Sequence, residues 1–144
     1  MNKGRIMGVD FGSKRIGLAI SDESSSFAFP LNTISGFGHD KEKREERENS
    51  TKKELLEIIN KEGVKTVVCG QSNNLHGEEN IIMKDAKILV DFLAAQQIEV
   101  FFEPEMFSTV SATKFQGQTD HVDASAAAII LQSYLDRVKF KGNN

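Results

Sequence analysis

Arg5-Ile6-Met7-Gly8-Val9-Asp10-Phe11-Gly12-Ser13-Lys14-Arg15-Ile16-Gly17-Leu18-Ala19-Ile20-Ser21 is the stretch whose reading decides the fold. From Arg5 to Phe11 it alternates as a strand does, with Ile6, Gly8 and Asp10 on one face and Met7, Val9 and Phe11 on the other. Gly12-Ser13 supplies turn chemistry. From Arg15 to Ser21 the alternation resumes, with Ile16, Leu18 and Ile20 opposite the small Gly17, Ala19 and Ser21. Two strands joined by so short a turn pair antiparallel.

Outward from this hairpin the pattern predicts a third strand over Phe27 to Ile34, and Pro30 within it marks a sheet edge. The mixed-charge run from Asp40 to Glu48 reads as a solvated helix or loop. The spacing of Leu55, Ile58 and Ile59 predicts a helix over Thr51 to Lys61, stopped by Gly63. A short buried strand follows from Lys65 to Cys69, then a loop over residues 70–77, a helix from Glu78 to Gln97 and a strand from Ile98 to Glu103. One or two helical turns are expected over Ser108 to Lys114. The last helix is expected from Val122 to Val138, with Asp120 as its N-cap. Lys139 to Asn144 reads as a frayed tail, so that residues 1–138 form one domain.

The order β-β-β-α-β-α-β-α, with right-handed crossovers into strands parallel to the first, predicts an α/β fold. Its mixed five-stranded sheet has the order 3-2-1-4-5, with helices packed on it. Ligands of such sheets gather at the carboxyl ends of the parallel strands. Those ends are Asp10, Gly70 and the segment Glu103 to Glu105.

Composition bounds the function. The chain has 144 residues, 39% of them hydrophobic and 27% charged, enough for one globular domain. A single cysteine, Cys69, excludes an internal disulfide framework and makes a reducing cytoplasm the expected location. An acid at Asp10 arrives before a signal-peptide core could form, and no apolar run approaches the roughly 18 residues of a membrane span. Net charge is −3, against the basic character usual in proteins that bind nucleic acid through bulk charge. Yet residues 1–22 carry four cations against two acids. Residues 78–105 carry two lysines against seven acids, either a solvated face or a cation-holding one.

Chemistry concentrates in the carboxylates. Asp10 interrupts an apolar central strand, so it is paired, protonated, metal-bound or capping the following turn. Asp123 heads the stripe Ala126, Ala127, Ile130, Leu131 and Tyr134, which points it toward the sheet; the helix dipole alone would also favour an acid in this first turn. Glu103 and Glu105 bracket Pro104, and alternation does not say which of them faces Asp10. Carboxylates converging at one sheet edge repel, and Mg²⁺ or Mn²⁺, which prefer oxygen ligands, would relieve this. Zinc has no cluster to use: His39, His76 and His121 lie in different segments. The glycine-framed loop from Gly70 to Gly77 could hold a phosphate on backbone N–H groups. Ser108 and Thr109 offer hydroxyls near the acids or cap the next turn.

The stretch Gly8 to Asp22, with Asp10-Phe11-Gly12-Ser13-Lys14-Arg15-Ile16-Gly17 at its heart, closely resembles the opening of the YqgF/RuvX family, whose members are described as Holliday junction resolvases or pre-16S rRNA nucleases. Cys69-Gly70 through Asn74 and Gly77 is similar to the family's glycine-leucine-proline loop. Glu105-Met106-Phe107-Ser108-Thr109 stands where the family has aspartate-glutamate-arginine-leucine-serine-threonine, and Asp123 with Ala126-Ala127 and Ile130 to Leu135 resembles its closing helix. The resemblance implies a ribonuclease H-like fold and metal-dependent cleavage of structured nucleic acid, RNA or branched DNA. It implies Asp10, Glu105 and Asp123 as catalytic metal ligands for Mg²⁺ or Mn²⁺. It implies Gly12, Lys14, Arg15, Gly70, Asn74, Ser108 and Thr109 as substrate-binding positions.

The departures are specific. Pro104 replaces the motif's first aspartate, Met106 its arginine and Ser72 the loop proline, and the basic cluster before the last aspartate is missing. The lost cations weaken the grip on phosphates, and Glu103 could stand in for the missing aspartate. The competing reading is a non-catalytic nucleic-acid or protein-binding module on the same scaffold. A sugar kinase or actin-like ATPase opens on a similar hairpin but needs two such domains. A homodimer is what a two-fold junction substrate would favour.

Overall fold

A computed structural model describes the backbone of residues 4–71, 77–104 and 119–142, and side chains at 4–70, 83–104 and 124–139. The hairpin forms as its alternation demands: β1 (Arg5–Asp10) pairs antiparallel with β2 (Arg15–Ser21), Gly8 opposite Ala19 and Asp10 opposite Gly17. β3 (Ala28–Ser35) adds to the far side of β2, with a bulge where Pro30 interrupts the ladder. β4 (Val64–Gln71) and β5 (Glu99–Pro104) follow parallel on the other side of β1. The sheet order is β3-β2-β1-β4-β5, as the connectivity required.

Helices cover both faces. α1 (Arg44–Glu62) and α2 (Gly77–Ala95) lie on one, where Leu55, Ile59, Leu89 and Leu93 bury against Met7, Val9, Leu18 and Val67. α3 (Thr119–Gly142) lies on the other, where Ala127, Ile130, Leu131 and Leu135 meet Ala19 and Val68. α3 also reaches both margins of the sheet. Gln132 accepts a hydrogen bond from the Ala28 amide at 2.9 Å and donates to the Ser26 carbonyl at 3.1 Å.

Gly8 sets how closely α3 sits. A Cβ on this residue would stand 2.7 Å from the Ala127 carbonyl oxygen and 2.8 Å from the Leu131 Cβ, so only glycine lets the helix backbone reach the strand.

Five expectations need correction. α1 starts at Arg44, seven residues before the apolar stripe suggested, and is preceded by a 3₁₀ turn over Lys41–Lys43 capped by Asp40. Its charged first turns are anchored by Arg44, which pairs with Asp85 of α2 and lies over the Phe37 ring, 5.0 Å from the centroid. β4 continues to Gln71, so Gly70 belongs to the strand, opposite Glu103, and not to the loop. α3 begins at Thr119, which puts Asp120 inside its first turn instead of at the cap. It also continues to Gly142, so the tail expected from Lys139 is helical there. β1 ends at Asp10, which leaves Phe11 to the turn.

Cys69 is fully buried within β4, and burial pushes its thiol up to about 12, so the reactive thiolate is not formed near neutrality. Native protein is therefore expected to resist alkylation at Cys69 until unfolded, checked by mass after iodoacetamide with and without denaturant. Replacing Gly8 by alanine is expected to destabilise the fold by about 1–3 kcal/mol, because α3 must lift from β1; urea unfolding of the variant measures it.

Candidate functional site

Asp10 closes β1, half-buried, at the carboxyl end of the central strand. Gly8 faces α3, and two residues along a strand return to the same face, so Asp10 points to the α3 side. Opposite it stands Gly17, which contributes no side chain to crowd the carboxylate. Ala124 of α3 lines one groove with Arg15 and Ser35, residues at this same end of the sheet. The start of α3 is thus delivered to the end where β1 finishes. Position 123 precedes Ala127, the residue over Gly8, by one helical turn. The backbone therefore brings positions 10 and 123 to one end and one face of the sheet, although they are far apart in the chain.

The turn between β1 and β2 is held from outside. The Gly36 amide donates to the Lys14 carbonyl at 2.8 Å, the Gly38 amide donates to the Ser13 carbonyl at 2.8 Å, and His39 Nε2 is 3.1 Å from Ser13 Oγ. Gly36 can approach because it lacks a side chain: a Cβ there would lie 2.5 Å from the Ser13 oxygen and 2.6 Å from that of Gly12. Gly12 is constrained likewise, with the Arg15 carbonyl 2.5 Å from where its Cβ would be. The clasp presents Lys14 to solvent and leaves Arg15 partly exposed beside Asp10's end of the sheet. Nothing in the hairpin's own pattern signalled this clasp, because Gly36 to His39 follow a different strand.

Glu103 is level with Gly70, one step beyond the row that joins Val9, Cys69 and Phe102. It is buried, and both carboxylate oxygens are taken. Ser133 Oγ donates to one at 3.0 Å and Arg137 pairs with the other. The Arg137 guanidinium is held above its usual pKa chiefly by that hydrogen bond to Glu103. Glu103 thus ties β5 to α3, which corrects the expectation that it stands in for a missing ligand. Two further acids of the stretch are also paired, Asp85 with Arg44 and Asp91 with Lys87 at 3.2 Å, while the side chains of Glu78, Glu79 and Glu105 lie outside the described residues. Among the described residues no three histidine, cysteine or carboxylate side chains form a group that could hold a metal ion.

Of the remaining candidates, Asn74, Glu105, Ser108 and Thr109 lie outside the described residues, as does the side chain of Asp123. Among the described residues no helix is long and apolar enough to cross a membrane.

Comparison with known proteins agrees with this architecture. A solved structure of Thermus thermophilus RuvC in complex with a Holliday junction substrate superposes with a TM-score of 0.63 over 92% of this chain and 93% of that one, at 16% identity. The fowlpox virus Holliday junction resolvase superposes with a TM-score of 0.52 over 93% and 99%, at 13% identity. At such identities the likeness concerns the fold, which is that of RuvC-like, ribonuclease H-like α/β proteins. Two relatives named "Putative pre-16S rRNA nuclease" are closer in sequence. That of Sulfurihydrogenibium sp. is 34% identical, covering 94% of this chain and 92% of its own, and that of Chlorobaculum tepidum is 33% identical, covering 92% and 93%. The sequence model of the RuvX family, described as Holliday junction resolvase, matches residues 4–137. With that span covered and the sheet built as described, the chain belongs to the RuvX family.

Proposed function

We propose that this chain is a metal-dependent nuclease that hydrolyses phosphodiester bonds in structured nucleic acid, a ribosomal RNA precursor or a Holliday junction. The observation that carries the reading is the placement of Asp10. It is a half-buried carboxylate at the carboxyl end of β1, on the face that α3 covers, beside a glycine that leaves it room. The membership of the chain in a family of nucleases supports the same conclusion.

Asp10, Glu105 and Asp123 are the proposed ligands, from three separate segments. Their hard oxygen donors fit Mg²⁺ or Mn²⁺ and not zinc, and Glu103, already bonded twice, is left out of the set. When bound, such an ion supplies Lewis acidity toward water and the departing oxygen. The chain's own residues do the rest. Lys14 and Arg15 oppose the charge of the nucleic-acid backbone, and the clasped turn at Gly12 holds both in place. Gly70, Asn74, Ser108 and Thr109 are the proposed further contacts to it. A cytoplasmic location belongs to this reading, and a homodimer would match a two-fold junction.

Two experiments test the proposal. Incubation of a four-way DNA junction and of a precursor 16S rRNA fragment with Mg²⁺ or Mn²⁺ is expected to yield cleavage, and Asp10→Asn to lower the rate at least about a hundredfold. Equal rates for the two proteins would remove Asp10 from the reaction. In a thermal melt, Mn²⁺ is expected to raise the stability of the wild type by about 2.7 kcal/mol at a hundred times its dissociation constant, and that of Asp10→Asn by much less. Chelation should reverse the gain.

A further inference from the structure

A groove runs beside the proposed reaction centre, between the β3 edge and the start of α3. It has a volume of about 400 Å³ and is lined by Arg15, Thr33 and Ser35 with Ala124. Register places these residues on Asp10's face. Asp10 is opposite Gly17 and Gly17 opposite Thr33, so the three form one row across β1, β2 and β3. Arg15 stands two residues before Gly17 on the same face, and Ser35 is opposite Arg15. Because Gly17 has no side chain, nothing of β2 rises between the carboxylate of Asp10 and the hydroxyl of Thr33. The groove itself lies on the β3 side of this row, walled by β3, Arg15 and Ala124.

Beside the apolar Pro30, Leu31 and Ile34, the polar groups of this lining are of a kind that holds anions. One guanidinium and two hydroxyls converge on a partly exposed channel, and arginine with hydroxyl side chains is a common combination on nucleic-acid phosphates. Ser35 is exposed and Thr33 and Arg15 are half-exposed, so a ligand reaches all three without the strand moving.

We propose that the Arg15–Thr33–Ser35 groove binds a phosphate of the nucleic-acid backbone flanking the bond that is cut. The proposal rests on the nuclease reading above, and it assigns Thr33 and Ser35 as binding residues. It places the strand's exit path along the β3 edge of the sheet. It also answers the negative net charge: affinity is concentrated in a few placed groups near the reaction end and does not need a basic surface.

The test measures binding without cleavage, so that its failure is separable from that of the nuclease reading. Fluorescence anisotropy in EDTA follows a labelled four-way DNA junction and a labelled precursor 16S rRNA fragment. The double variant Thr33→Val, Ser35→Ala is expected to bind the better probe roughly five- to tenfold more weakly. Arg15→Gln is expected to lower the slope of log affinity against log salt by about one. Single methylphosphonate linkages then locate the contact: one neutralised linkage should weaken the wild type and leave the double variant unaffected. An unchanged dissociation constant in the double variant would overturn the proposal. So would a methylphosphonate penalty identical in the two proteins at every linkage. Failure of the wild type to bind either probe would remove the nucleic-acid reading beneath it, whereas weakened binding by the variant with no cleavage in either protein would leave the groove standing and the nuclease reading refuted.

Discussion

The close seat of α3 on β1 is the contact from which the rest of the molecule is arranged. It exists because Gly8 offers no side chain where the Ala127 carbonyl and the Leu131 Cβ come down. A glycine in the middle of a strand is costly in backbone entropy and normally weakens pairing. Here the loss is offset by burial of Ala127, Ile130, Leu131 and Leu135 against the sheet. The helix is further tied at both margins, by Gln132 to the β3 end and by Ser133 and Arg137 to Glu103 of β5. A helix located at three places across a sheet has little freedom to rotate. That is what the proposed centre, divided between the first strand and the last helix, requires.

Charge is used in two separate ways. Asp85, Asp91 and Glu103, three of the seven acids between residues 78 and 105, are ion-paired within the fold. They are therefore poor guides to cation binding, and the negative net charge says little about the end of the sheet where Asp10 lies. At that end the local balance differs: Lys14 and Arg15 flank Asp10 on a turn immobilised by Gly36, Gly38 and His39. Such pairs cancel in the net charge, so the −3 of the whole chain measures neither them nor the local balance at this end.

The strands were legible because period-two alternation in Arg5 to Ser21 survives as a division between two cores, Met7, Val9, Ile16, Leu18 and Ile20 in one and Ile6 and Ala19 in the other, and because Pro30 is accommodated at an edge. The start of α1 was not legible. Residues 44 to 50 carry no apolar stripe, and what holds them helical is the long-range pairing of Arg44 with Asp85 and its contact with Phe37. Gly70 read as a loop residue because glycine usually signals a turn, yet in β4 it pairs with Glu103. The choice between Glu103 and Glu105 was open because Pro104 breaks the alternation. The partner of Glu103, Arg137, lies 34 residues away, beyond any local pattern.

By itself the sequence determined the element order, the edge position of β3 and the candidacy of Asp10, since each follows from neighbours within a few residues along the chain. Only the tertiary structure decided that Glu103 is a strut, that Gly36 clasps the first turn, and that Thr33 and Ser35 share a face with Asp10. Those facts depend on which segments lie against one another across the sheet, and such contacts are set by packing and register, not by the residues adjacent in sequence.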